Sequence, residues 1–148
     1  MKSFTFLLTA SCFALFLSSC KKEPLKADKE TSFNTPFKSI VNEDVALIDE
    51  KSKVLVQVKN ISDHRCTNHL NCDDPGLATV RVELTDTRSS MAESLLYIGL
   101  LGEENKNTDS VSVRLDDKLY LVTLHSVNPH PIMQSTEVQT VELSVKPK

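Results

Sequence analysis

The chain has 148 residues and a formal charge of −3, from 17 Lys and Arg against 20 Asp and Glu, with no tryptophan and 5% aromatic residues. A length near 150 residues is that of one domain around one core. The slight acidity, without a dense basic stretch, speaks against a nucleic-acid surface built on phosphate contacts, and the shortage of rings speaks against stacking platforms for bases or sugars.

At the N-terminus, Lys2 precedes the apolar run from Phe4 to Leu17, which gives way to Ser18-Ser19-Cys20 and then to Lys21-Lys22-Glu23. A positive charge followed by a short greasy run is the order of an export signal, and the run falls short of the about 20 apolar residues that cross a bilayer as a helix. Leu17-Ser18-Ser19-Cys20 resembles a bacterial lipobox: a branched aliphatic, two small residues and a cysteine. That resemblance implies that residues 1–19 are removed, that the Cys20 thiol receives diacylglycerol and that the new amine is acylated. Each buried methylene contributes about 0.8 kcal/mol, so two or more chains anchor stably. Lys21 stands where an aspartate commonly marks inner-membrane retention, which makes the outer membrane the expected address. Losing the signal removes Phe4, Phe6, Phe13 and Phe16 and leaves Phe33, Phe37, Tyr97 and Tyr120, so the core has to be built from Val, Leu and Ile.

Residues 20–32 read as the lipidated cysteine and a flexible tether, because Lys21 to Ser32 is charged, lacks an apolar period and contains Pro24. Residues 33–148 read as a β-sandwich domain. Phe37–Val41 and Val45–Ile48 are short candidate strands. In Lys53–Ile61 the side chains of Val54, Val56 and Val58 face one way and Lys53, Leu55, Gln57 and Lys59 the other, the period-two pattern of a half-buried strand. Ala78–Leu84 turns Thr79, Arg81 and Glu83 to water. Ser90 to Leu96 has the one stretch compatible with a helical turn, and Leu95–Leu101 is equally a strand. Val111–Leu115, a turn at Asp116-Asp117-Lys118, Leu119–Leu124 and Val138–Val145 complete the series, the last with Val141, Leu143 and Val145 inward. The expected class is all-β, an immunoglobulin-like β-sandwich of seven or eight short antiparallel strands with one disulfide loop.

The loop in question runs from Asp63 to Gly76. Cys12 leaves with the signal and Cys20 is consumed by lipid, so Cys66 and Cys72 remain as an even pair in an exported protein, where a disulfide is expected. Closing so small a ring stabilises by about 2 to 2.5 kcal/mol on the chain-entropy account. Two metal readings compete: a zinc or copper site from the thiolates of Cys66 and Cys72 with the imidazoles of His64 and His69, or a site of His64, His69, Asp63, Asp73 and Asp74 with the disulfide intact. Four ligands in one short loop strain tetrahedral geometry, and an oxidising compartment oxidises thiols. His125, His130 and Met133 form a second group that adds ligands if its loop folds beside the first, although His125 continues the face of Leu119, Leu121 and Thr123, and Pro129 and Pro131 mark a turn.

Asp63-His64-Arg65-Cys66, the gap to Cys72, and the following Gly76 and Ala78 resemble a family of small uncharacterised bacterial lipoproteins. Its members carry Asp-Ser-Arg-Cys-Pro, a second cysteine after the same gap, an apolar-Trp-Ala-Gly turn and then a strand. Val127-Asn128-Pro129-His130-Pro131 is similar to their Pro-aromatic-Pro turn, and the likeness spans most of residues 45–146. It implies a secreted β-sandwich and no particular reaction. Here the pattern departs at His64, Thr67 and Asp73-Asp74-Pro75, which supply the His and Asp on which the metal alternative rests. With only Gly76, Gly99 and Gly102 there is no phosphate-cradling glycine loop, and no Gly-x-Ser-x-Gly elbow or His-Glu-x-x-His helix occurs. The expectation is a non-catalytic, membrane-anchored binding or envelope-structural module without a cofactor, touching the membrane through Cys20 and a protein or small-molecule ligand through its loop. The alternative is a zinc- or copper-binding protein using His64 and His69.

Overall fold

The computed structural model describes residues 25–66, 76–101, 103–131 and 136–148. The expected signal, the lipidation site Cys20, and His69, Cys72, Asp73, Asp74 and Met133 of the expected loops lie outside the described residues.

The chain is all-β, with ten strands and no helix among the described residues. They are β1 (Lys29–Ser32), β2 (Phe37–Ser39), β3 (Asp44–Ile48), β4 (Lys53–Asp63), β5 (Leu77–Asp86), β6 (Met91–Leu101), β7 (Glu104–Lys106), β8 (Asp109–Leu115), β9 (Lys118–Asn128) and β10 (Thr140–Pro147). Six form a sheet in the order β1-β3-β4-β5-β6-β7 and four a second sheet, β2-β10-β9-β8, in a sandwich-like arrangement. Two departures from expectation stand out. Residues Lys29–Ser32, expected to belong to the tether, form β1, which pairs parallel to β3, Lys29 beside Val45 and Ser32 beside Ile48. The stretch from Met91, compatible locally with a helical turn, is the start of β6, paired antiparallel along β5 from Thr85–Met91 to Leu77–Gly99. Backbone hydrogen bonding to β5 overrides a weak local preference.

The core follows from the alternation. Val54, Val56 and Val58 of β4 and Ala78, Val80, Val82 and Leu84 of β5 meet Tyr120, Val122 and Leu124 of β9 and Val141, Leu143 and Val145 of β10, all buried. Each such Val or Leu contributes about 1.5–3 kcal/mol on burial. Three of the four aromatics expected after signal removal, Phe33, Phe37 and Tyr120, are also interior, Phe33 stacking on Tyr120 at 6.0 Å between ring centroids.

The alternation slips by one residue in two strands, at the same end of the molecule. In β4 the register to β5 shifts between Val58 and Asn60, so the inward set runs Val54, Val56, Val58 and then Ile61 and Asp63. In β9 the register to β10 shifts opposite Glu142 and Leu143, so Tyr120, Val122 and Leu124 are followed inward by Val127. A β-bulge inserts one residue and re-aims everything beyond it. These two bulges turn Asp63 and Val127 toward the space between the sheets.

Candidate functional site

The inward turn of Asp63 would bury a lone carboxylate at high cost. Arg65, two residues on, removes that cost. Its Nε donates to Asp63 Oδ1 at 2.8 Å and its Nη2 to Asp63 Oδ2 at 2.6 Å, while the Arg65 backbone N–H donates to Oδ1 at 3.1 Å. The Asp63 side chain is 0% exposed and that of Arg65 12%. The same Nη2 donates to the Val127 carbonyl at 2.8 Å, so one guanidinium ties the end of β4 to the end of β9 and thereby one sheet to the other. A planar, forked donor suits this bidentate task as lysine would not.

The neck of the loop is closed by backbone. The His64 N–H donates to Leu77 O at 3.0 Å and the Leu100 N–H to Gly76 O at 3.0 Å. Gly76 has φ +64°, and a Cβ there would lie 2.0 Å from His64 O. Gly99 has φ +111°, and a Cβ there would lie 2.6 Å from Gly76 O. Only glycine lets these three segments approach so closely.

Beside the neck lies an open cleft of about 260 Å³, lined by Arg65, Cys66, Leu100, Asn105, Lys106 and His130. His130 therefore joins the first loop, as the second histidine group was expected to do if its turn folded close. His125 does not; it sits on β9 with its Nε2 2.8 Å from Ser144 Oγ on β10. Lys106 stays an ammonium, since its hydrogen bond to Asp109, 3.0 Å, and that carboxylate's charge hold its pKa above the ordinary value. Asp109 Oδ2 also accepts the Tyr97 N–H at 3.0 Å. The cleft thus presents cationic and amide donors.

Of the residues expected to hold a metal, His64 is exposed, with Nδ1 3.3 Å from Ser62 Oγ. Asp63 spends both carboxylate oxygens on Arg65. Among the described residues no three His, Cys, Asp or Glu side chains converge. Two serine–histidine contacts exist, Ser62–His64 and His125–Ser144, and neither histidine is hydrogen-bonded to a carboxylate among the described residues. Arg65 was the residue whose role escaped the sequence reading. Its signal was the three-residue step from Val58 to Ile61 and from Leu124 to Val127, which marks both bulges.

No family model, no curated protein and no solved structure matches the chain.

Proposed function

We propose that the chain is a non-catalytic lipoprotein module of the bacterial cell envelope, held at the outer membrane by lipid on Cys20 and presenting the Asp63–Gly76 loop of an immunoglobulin-like sandwich to a partner. The likeness of residues 45–146 to small bacterial lipoproteins is part of the same proposal. The observation that carries the presentation of the loop is the Asp63–Arg65–Val127 latch. It holds the loop neck to both sheets, and a neck fixed in advance lowers the ordering entropy that a binding loop loses on contact. The proposed ring closure is Cys66 to Cys72. What supports that pairing is the cysteine count: with Cys12 leaving in the signal and Cys20 taken by lipid, Cys66 and Cys72 are the two that remain.

The partner contacts the cleft donors Arg65, Lys106, Asn105 and His130. Photo-crosslinking in living cells tests this. A crosslinking residue in place of His64 or His130 is expected to give one discrete adduct that the same residue at Ser112, an exposed position on β8, does not give. Equal labelling from all three positions would overturn the proposal. Zinc or copper held by His64, His69, Asp73 and Asp74 is the alternative. It predicts metal retained in stoichiometric amount by the purified chain and lost on combined His64→Ala and His69→Ala substitution.

A further inference from the structure

At the end of the sandwich opposite the loop, the two sheets part around a second cleft of about 370 Å³, within the size range of small-ligand sites. Its lining includes Lys51 in the β3–β4 turn, Lys53 and Val54 at the start of β4, Arg88 of the β5–β6 turn, and Lys118 and Tyr120 at the start of β9. We propose that this cleft binds a phosphate-class oxyanion, held by the ammonium groups of Lys51 and Lys118 and by the Tyr120 hydroxyl.

The acids and bases of the cleft differ in what they have left to offer. Asp86 Oδ1 accepts the Arg88 and Ser90 N–H groups at 2.8 and 2.9 Å, and its Oδ2 accepts Arg88 Nε at 3.2 Å. Asp116 takes Arg88 Nη2 at 2.6 Å and Ser90 Oγ at 2.7 Å. Asp49, behind the cleft, caps its own turn through the Lys51 and Ser52 N–H groups at 2.8 and 2.6 Å. These carboxylates are occupied, and Asp117 is the one acid of the lining without such bonds. Lys51 and Lys118, by contrast, form no salt bridge among the described residues, although the Lys118 charge acts on Asp49, and Lys53, on the face of β4 opposite the buried Val54, pairs with the exposed Glu30 at 3.8 Å.

Tyr120 is the second observation. It is 2% exposed, lines the cleft, and has no hydrogen-bond partner for its hydroxyl among the described residues. Among the described residues no buried side-chain N or O atom is left unsatisfied, so the residual exposure of Tyr120 belongs to a hydroxyl that opens into the cleft. Burial, with the nearby Asp49 and Asp86 charges, raises its pKa, which keeps the proton in place for donation. Two ammonium groups, one from the β3–β4 turn and one from the start of β9, with the β9 hydroxyl between the sheets, suit an anion with oxygens in several directions better than a planar carboxylate with two.

Titration calorimetry of the full chain in detergent with inorganic phosphate, against chloride at equal ionic strength, tests the site. Saturable binding at one site is expected, weakened at least tenfold by combined Lys51→Met and Lys118→Met and severalfold by Tyr120→Phe, which keeps the ring on Phe33. Unchanged thermal unfolding of each variant shows that the fold survives. Titration with the water-soluble headgroup glycerophosphoglycerol, to which the anchor on Cys20 contributes nothing, distinguishes a lipid headgroup from a soluble phosphate: binding tighter than that of inorganic phosphate and lost in the lysine variant assigns the headgroup, and phosphate binding without it assigns a soluble ligand. Absence of binding to both probes, or binding indifferent to both variants, would overturn the proposal. A crosslinking failure at His64 leaves it untouched, since the two clefts lie at opposite ends.

Discussion

Replacing Arg65 by methionine keeps the length of the side chain and removes the fork that joins β4 to β9. Three side-chain hydrogen bonds disappear, at 2.8, 2.6 and 2.8 Å, and two acceptors are stranded: the Asp63 carboxylate, 0% exposed, and the Val127 carbonyl. Removing one partner of a buried pair costs about 3–5 kcal/mol, mostly the penalty of the charge left behind. For a domain of this size that corresponds to a drop of about 10–20 °C in midpoint. Combined Asp63→Leu and Arg65→Met removes the stranded charge as well and is expected to recover half of the loss or more. Urea and thermal unfolding of the full chain followed by circular dichroism read both. A loss below about 1 kcal/mol in the single variant, the worth of an exposed ion pair, would refute the latch.

Gly76→Ala is expected to cost about 2–3 kcal/mol, because the new Cβ enters at φ +64° and lies 2.0 Å from His64 O; an unchanged urea midpoint would contradict the close approach. Leu84→Ala, fully buried in β5, is expected to cost about 2–5 kcal/mol, read in the same unfolding experiment. Burial disfavours the charge of Asp86, but the Ser90 and Arg88 N–H groups and the guanidinium outweigh it and hold its pKa below the ordinary 3.8. A depressed folded pKa means stability that is present above the unfolded value and is lost as pH falls through the folded one. Stability should therefore decline below about pH 3.8, and Asp86→Asn should flatten part of that decline; identical acid slopes would exclude the contribution.

The sequence showed the fold wherever one face of a strand is buried. Lys53–Ile61, Ala78–Leu84 and Leu119–Leu124 all lie within longer strands, β4, β5 and β9; Val54, Val56 and Val58 share the buried face of β4, the face of β5 opposite Thr79, Arg81 and Glu83 is inward as expected, and in β9 the buried face is Tyr120, Val122 and Leu124. It was silent at the two edges of the six-stranded sheet, whereas the edge strands β2 and β8 of the other sheet keep a buried face and were legible. The Lys-Glu-Thr-Ser of β1 and the Glu-Asn-Lys of β7 have no buried face to impose a period, and charged, short edges are how sheets resist further pairing. The closing strand starts two residues later than the alternation suggested, at Thr140, with Val138 left 70% exposed. The loop end was recognised through its cysteines and histidines, but Arg65 was not, because its partner Val127 is 62 residues away and the bulges that bring them together arise from cross-strand pairing. The opposite cleft was invisible for the same reason: Lys51, Lys118 and Tyr120 meet only when two sheets are stacked.

The central claim, a lipid-anchored module with a disulfide loop, is tested most directly by intact mass spectrometry of the chain purified from the membranes of a bacterium that expresses it, with and without reductant. The account predicts a chain beginning at Cys20, heavier than its sequence by diacylglycerol and an acyl group, and gaining one hydrogen pair on reduction. A chain cut elsewhere, with an unmodified Cys20 and no change on reduction, would contradict it.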